Sequence, residues 1–157
     1  DWDEYTCIWA ALYGHLDCLK YAHENGCSWN EKTCRFAANG GHLNCLVYAH
    51  ENGCHWNRRT CSGAAEGNHL ECLVYAHEHD CPWNEWTCKG AAEGGHLDCL
   101  VYAHDNGCPW NENTCHGAVA WYDRYRLDCL DCLECLKYAI ENDCPHTEEQ
   151  FNLLSKN

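Results

Sequence analysis

The chain has 157 residues, ten Lys and Arg against twenty-four Asp and Glu for a formal charge of -14, and 17 Cys with no Met. That acidity argues against sequence-independent nucleic-acid binding, which requires a basic surface, and against docking on an anionic membrane. No run reaches the roughly eighteen apolar residues of a membrane span, and the start at Asp1 has neither region of a secretory signal. A start without Met is expected of a processed mature chain or of a fragment of a longer array.

Trp2, Trp29, Trp56, Trp83 and Trp110 recur at a constant spacing, each followed at the same distance by Thr-Cys. Fixed self-similarity at a few tens of residues marks a solenoid, in which each unit buries its apolar faces only against its neighbours. The repeat reads W-N-E-x-T-C-x-x-A-A-x-x-G-H-L-x-C-L-x-Y-A-H-E-N-G-C-P. We expect one domain over 1–157, with repeats at 1–27, 28–54, 55–81, 82–108 and 109–144, the last carrying an insertion, and a half repeat or cap at 145–157.

Along each repeat two helices are expected. Asp3, Asn30, Asn57, Asn84 and Asn111 suit the N-cap of the first, because their side chains can take up orphan N–H groups of the next turn. Gly40, Gly67 and Gly94 are expected to end it in the left-handed C′ conformation. The second helix opens near His15, His42, His69 and His96 and stops at Asn-Gly, with Asp80 and Asp143 replacing that Gly at somewhat higher cost.

Variation among the copies gives a second reading. Thr33, Cys34, Ala37 and Ala38 recur, whereas Lys32, Arg35, Phe36 and Asn39 become Arg59, Ser62, Gly63 and Glu66, then Trp86, Lys89, Gly90 and Glu93. The variable positions fall at i, i+3, i+4 and i+7, which is one helical face opposite a packed one. The second helix varies little, so it is expected to be the inner member of the pair.

The repeat resembles the ankyrin-repeat family, through A-A-x-x-G-H-L at Ala37 to Leu43 and Ala91 to Leu97 and through E-N-G at Glu24 to Gly26 and Glu51 to Gly53. The resemblance implies an all-α solenoid of stacked helix-turn-helix repeats and a non-catalytic role in binding proteins. The family's Thr-Pro-Leu-His opening is reduced here to Thr-Cys, and the repeat is shortened where ankyrin repeats carry a β-hairpin, so a short Pro-Trp-Asn connection is expected there. In the fifth repeat the excess includes W-Y-D-R-Y-R-L-D-C-L-D-C-L-E-C-L, which predicts a longer second helix. Thr147 and Gln150 fit a capping box at the start of the terminal segment, with bulkier Phe151 and Leu154 beyond them.

Three readings of the cysteines stand side by side. By the resemblance, Cys34, Cys45 and Cys54 fall on buried Leu, Val and Ala positions, and free Cys packs as a small hydrophobe. Disulfides are the second reading, with Cys7, Cys27, Cys34, Cys54, Cys61, Cys81, Cys88, Cys108 and Cys115 as candidates. Cys27 and Cys34 flank a short loop, and Cys7 and Cys27 lie at one end of a helix pair. Metal binding is the third, with Cys129, Cys132 and Cys135 as the one close cluster, although a zinc site needs four converging ligands. No cofactor is expected. Reduced thiols would go with an intracellular setting, oxidised ones with a secreted or surface location.

His23, His50, His77 and His104 lie near a helix C-terminus, where a protonated ring interacts favourably with the macrodipole. Every Cys and most His recur as copies of structural positions, and no Gly-rich phosphate loop, H-E-x-x-H or G-x-S-x-G string occurs, so no enzyme is expected. What remains is the variable face: Tyr5, Trp9, Lys32, Arg35, Phe36, Arg59, Trp86 and Lys89 are residue types that dominate interface hot spots. They are the expected contacts to a protein partner. The alternative is a self-assembling structural protein, stacked head to tail through open ends and stabilised by disulfides.

Overall fold

The computed structural model describes residues 4–125 and 130–154. It is all-α, with helices α1 Glu4–Leu12, α2 Leu16–Glu24, α3 Glu31–Asn39, α4 Leu43–Glu51, α5 Arg58–Glu66, α6 Leu70–Glu78, α7 Glu85–Gly94, α8 Leu97–Asp105, α9 Glu112–Tyr125, α10 Leu130–Glu141 and α11 Glu148–Leu154. Among the described residues there is no strand, and no helix is long and apolar enough to cross a membrane. The chain divides into two compact units, residues 1–83 and 84–157. The division falls between Trp83 and Asn84, immediately before a first helix.

The cap chemistry accounts for where the first helices begin. Asn30, Asn57 and Asn111 accept the backbone N–H of Lys32, Arg59 and Asn113, each at 2.9 Å, and Asn84 accepts that of Trp86 at 3.3 Å. Trp2 and Asp3 lie outside the described residues. Thr147 and Gln150 close their capping box, with the N–H of Thr147 donating to Gln150 Oε1 at 2.8 Å and the N–H of Gln150 to Thr147 Oγ1 at 3.2 Å.

The expected role of Gly40 and Gly67 is corrected. Their φ values are -84° and -87°, and it is the next residue, Gly41 at +74° or Asn68 at +61°, that takes the left-handed turn, just as Gly95 at +71° does in place of the expected Gly94. Gly40 is needed for room instead. A Cβ there would stand 2.5 Å from the carbonyl oxygen of Leu12 in the preceding repeat and 2.8 Å from the ring of His42. Asp80 and Asp143 do adopt the left-handed conformation expected of them, at +61° and +63°.

The expectation that the second helix is the inner member is also overturned. Within the N-terminal unit α1, α3 and α5 pack on one another more closely than α2, α4 and α6 do, and α5 buries every residue from Thr60 to Ala65. Small side chains permit this approach: a Cβ on Gly63 would meet the carbonyl oxygen of Arg35 at 3.2 Å, and one on Gly117 that of Lys89 at 3.0 Å. The variable face is therefore narrower than its spacing implied. Ser62, Gly63 and Gly90 are buried, while Lys32, Arg59 and Trp86 point outward.

The second helices vary little for another reason. His23 stacks on Trp29 at 3.6 Å between centroids, and its Nδ1 lies 3.1 Å from the hydroxyl of Tyr48 in the next repeat. His50 with Trp56 and Tyr75, and His104 with Trp110 and Tyr138, repeat the arrangement. These Trp side chains are half-buried. In the fifth repeat α10 is lengthened as expected, 12 residues against nine in α8, and α9 is extended as well, to 14.

Candidate functional site

Cysteine ties the second to fifth repeats together where the hairpin is missing. Cys54 Sγ donates to the carbonyl oxygen of Asn30 at 3.2 Å, Cys81 to Asn57 at 3.4 Å, and Cys108 and Cys144 to Asn84 and Asn111 at 3.3 Å. The thiol after the second helix thus reaches back to the cap residue of the first. Its neighbour is the thiol of the Thr-Cys pair, as in Cys34 and Cys54, Cys88 and Cys108, and Cys115 and Cys144. Of the two adjacencies expected for Cys27, the structure forms the one with Cys7. All of the candidate disulfide cysteines are buried free thiols, whose packing fits core positions.

This environment suppresses the thiolate at most of these positions, whereas the hydrogen bonds from Cys34 and Cys115 lower Cys54 and Cys144. Burial first, and the adjacent Cys27 thiol second, push Cys7 up to about 12. Burial likewise pushes Cys72 up to about 12 and Cys99 to about 11. The hydrogen bond with Cys54, reinforced by burial, raises Cys34. Such thiols are poor nucleophiles and poor ligands, since both roles need the thiolate. Of the expected metal cluster, Cys129 lies outside the described residues, Cys132 is disulfide-bonded and Cys135 is a buried free thiol. Among the described residues no three His, Cys, Asp or Glu side chains converge on one point.

The variable side chains gather on the outer edge of the first helices. In the N-terminal unit α1 carries Tyr5 and Trp9, each 52% exposed, with Tyr13 stacked on Trp9 at 5.9 Å. Tyr13 was not among the expected contacts, although its i+4 spacing from Trp9 marks it. On α3 Lys32 is exposed, and the half-buried Arg35 guanidinium stands 5.5 Å from the Phe36 ring centre. Arg58 and Arg59 follow on the first turn of α5, both exposed. In the C-terminal unit Trp86 is half exposed, with Lys89 Nζ 5.1 Å above its ring and 3.1 Å from Glu93.

Residues 7–50, from α1 into α4, match the family of ankyrin repeats (many copies). The ankyrin repeat domain of human ASB11 is similar in structure, with a TM-score of 0.68 and 18% sequence identity over 88% of this chain and 69% of that one. No curated protein matches the chain. The chain is ankyrin-repeat-like and has the fold of an ankyrin-repeat solenoid, without hairpins in the described connections. Ankyrin repeats are in general protein-interaction modules.

Proposed function

We propose that the chain is a non-catalytic protein-binding scaffold that presents the outer edge of its first helices to a partner. One observation carries this reading. Positions that differ from copy to copy while the rest of the repeat is held constant are occupied by exposed aromatic and basic residues, along α1, α3 and α5, on an otherwise acidic chain. Tyr, Trp and Arg supply large contact area and directional hydrogen bonds, and solenoid surfaces distribute a ligand over several repeats. The Thr-Cys pairs of α3 and α5 and Cys7 of α1 are buried, which keeps these side chains from meeting a substrate on this face.

The test compares the chain with a variant carrying Tyr5→Ala, Trp9→Ala, Phe36→Ala and Arg59→Ala. Cross-linking mass spectrometry in a native extract should place partner peptides on α1, α3 and α5 and lose them in the variant while its melting transition is kept. Retained cross-links would refute the reading.

A second reading, structural self-association, is supported by the C-terminal unit. Leu130 is 69% exposed and Phe151 50%, and together with Leu133, Ile140 and Leu154 they line a mainly apolar groove of about 500 Å³. Sedimentation equilibrium distinguishes the two. A monomer over the accessible concentration range leaves only the scaffold reading.

A further inference from the structure

One part of the first-helix face has a more specific chemistry than the rest. Between the N-terminal turns of α3 and α5 lies an open cleft of about 470 Å³ lined by Lys32, Arg35, Phe36, Arg58 and Arg59, with Glu31 as its one carboxylate. Four of the chain's ten Lys and Arg thus line one cleft on a molecule of formal charge -14. Elsewhere Lys89 and Lys137 are each held by a Glu one turn on, at 3.1 and 3.9 Å. Among the described residues no carboxylate forms an ion pair with Arg35, Arg58 or Arg59.

The placement of Arg58 works against its own helix. The residue after the capping Asn is Glu31, Glu85 and Glu112 in the neighbouring repeats, which the positive end of the helix macrodipole favours, and only the third repeat substitutes a cation. Arg58 and Arg59 together set two positive charges on that first turn. Local helix stability does not select this, and neither does internal pairing, so a ligand of opposite charge is the remaining reason for it.

Resting on the first-helix face as the protein-binding face, we infer that this cleft is the docking site for an acidic segment of the partner protein. Its carboxylates meet the guanidinium groups of Arg35, Arg58 and Arg59, and an apolar side chain lies beside the half-buried Phe36. Guanidinium presents a planar fork that matches a carboxylate with two parallel hydrogen bonds. A polynucleotide is disfavoured by the same charge distribution, because phosphates extending beyond α3 and α5 would run over an acidic surface, whereas a peptide can confine its charge to the cleft.

The experiment titrates a dye-labelled, Glu-rich peptide with one central Phe into the full chain and reads fluorescence anisotropy. Controls are the same peptide with Gln for every Glu, and labelled single-stranded DNA. Arg58→Glu restores the residue that other repeats carry, so it preserves the fold by construction, and Lys137→Ala removes a cation outside the cleft. Arg58→Glu with Arg59→Ala should weaken the acidic peptide by about tenfold or more, as loss of anchoring arginines does at interfaces, while Lys137→Ala stays within about twofold. Affinity should fall as salt rises from about 0.05 to about 0.3 M, and the Gln peptide should not bind. Equal affinity for the Gln peptide, no effect of the cleft substitutions, or preferential binding of the DNA would each overturn the inference. If the acidic peptide fails while the α1, α3 and α5 cross-links persist in the unsubstituted chain, only this inference is lost. If those cross-links are absent as well, the reading of the whole face fails with it.

Discussion

The imidazole of His50 lies flat on the indole of Trp56, centroids 3.7 Å apart and planes within 14°, while its Nδ1 is 2.9 Å from the hydroxyl of Tyr75 in the following repeat. One ring therefore fastens the end of α4 to its own connection and to α6. The second helices approach each other less closely than the first, so this is where adjacent repeats in the outer row are joined. Trp56→Ala removes the stack and a half-buried surface, and should cost about 2 to 3 kcal/mol, below the range for a fully buried aromatic. Trp86→Ala, at an exposed position on α7, should stay within about 0.5 kcal/mol. Urea unfolding measures both, and comparable losses would show that the two Trp series have been assigned to the wrong faces.

The same ring gives a direction in pH. Burial, with His79 as the second cause, lowers His50 below its ordinary 6.5, against an opposing pull from Glu51. Tyr75 is a further titratable group in contact with it. A His whose pKa is depressed by folding binds fewer protons folded than unfolded over that interval, so its contribution is present above 6.5 and is lost as pH falls from there to the folded value. In an NMR titration His50 should titrate below the ordinary imidazole value of 6.5. His79→Gln should move it upward, and no movement would remove His79 as a cause.

Gly40 and Gly26 separate two uses of glycine. At Gly26 the backbone has φ +84° with nothing within 4 Å of a Cβ, so Gly26→Ala should cost about 1 to 2 kcal/mol for the left-handed conformation alone. At Gly40 the backbone is ordinary and the obstruction is the Leu12 carbonyl and the His42 ring, so Gly40→Ala should cost about 1 to 3 kcal/mol through overpacking. Combining Gly40→Ala with His42→Ala distinguishes them. The double substitution should recover part of the Gly40 loss and none of the Gly26 loss, as thermal melts would show.

The helix pairs were legible because Asn30, Asn57 and Asn84 announce each start and the repeat excludes chance. The binding edge was legible only in part. A helical face drawn from sequence is a half-circle, but α3 packs against α1, α4 and α5, and Gly63 of α5 turns out to face α3. Which helix row packs more closely could not be read from variability, because His23, Trp29 and Tyr48 recur for an aromatic contact rather than for burial. That contact joins residues 25 apart, and no single-repeat periodicity encodes it.

The three cysteine positions predict an order of reactivity. Cys18 is exposed, whereas Cys45, Cys72 and Cys99, which occupy its place in later repeats, are buried. Reaction with a disulfide reagent requires both access and a thiolate, and Cys72 and Cys99 are pushed to about 12 and about 11. One fast equivalent, abolished by Cys18→Ala, should therefore precede a slow phase whose rate tracks global unfolding. Denaturing the untreated chain without reductant then decides what the remaining cysteines are. Packed thiols all become titratable at once, leaving only Cys132 and its disulfide partner silent, while further disulfides joining Cys7 to Cys27 or Cys34 to Cys54 would subtract two more equivalents for each pair and return them only on reduction. A deficit of that kind would replace the hydrogen-bonded tie between Cys54 and Asn30 with a covalent one, and would move the stabilisation of each repeat from thiol packing to the closed loop.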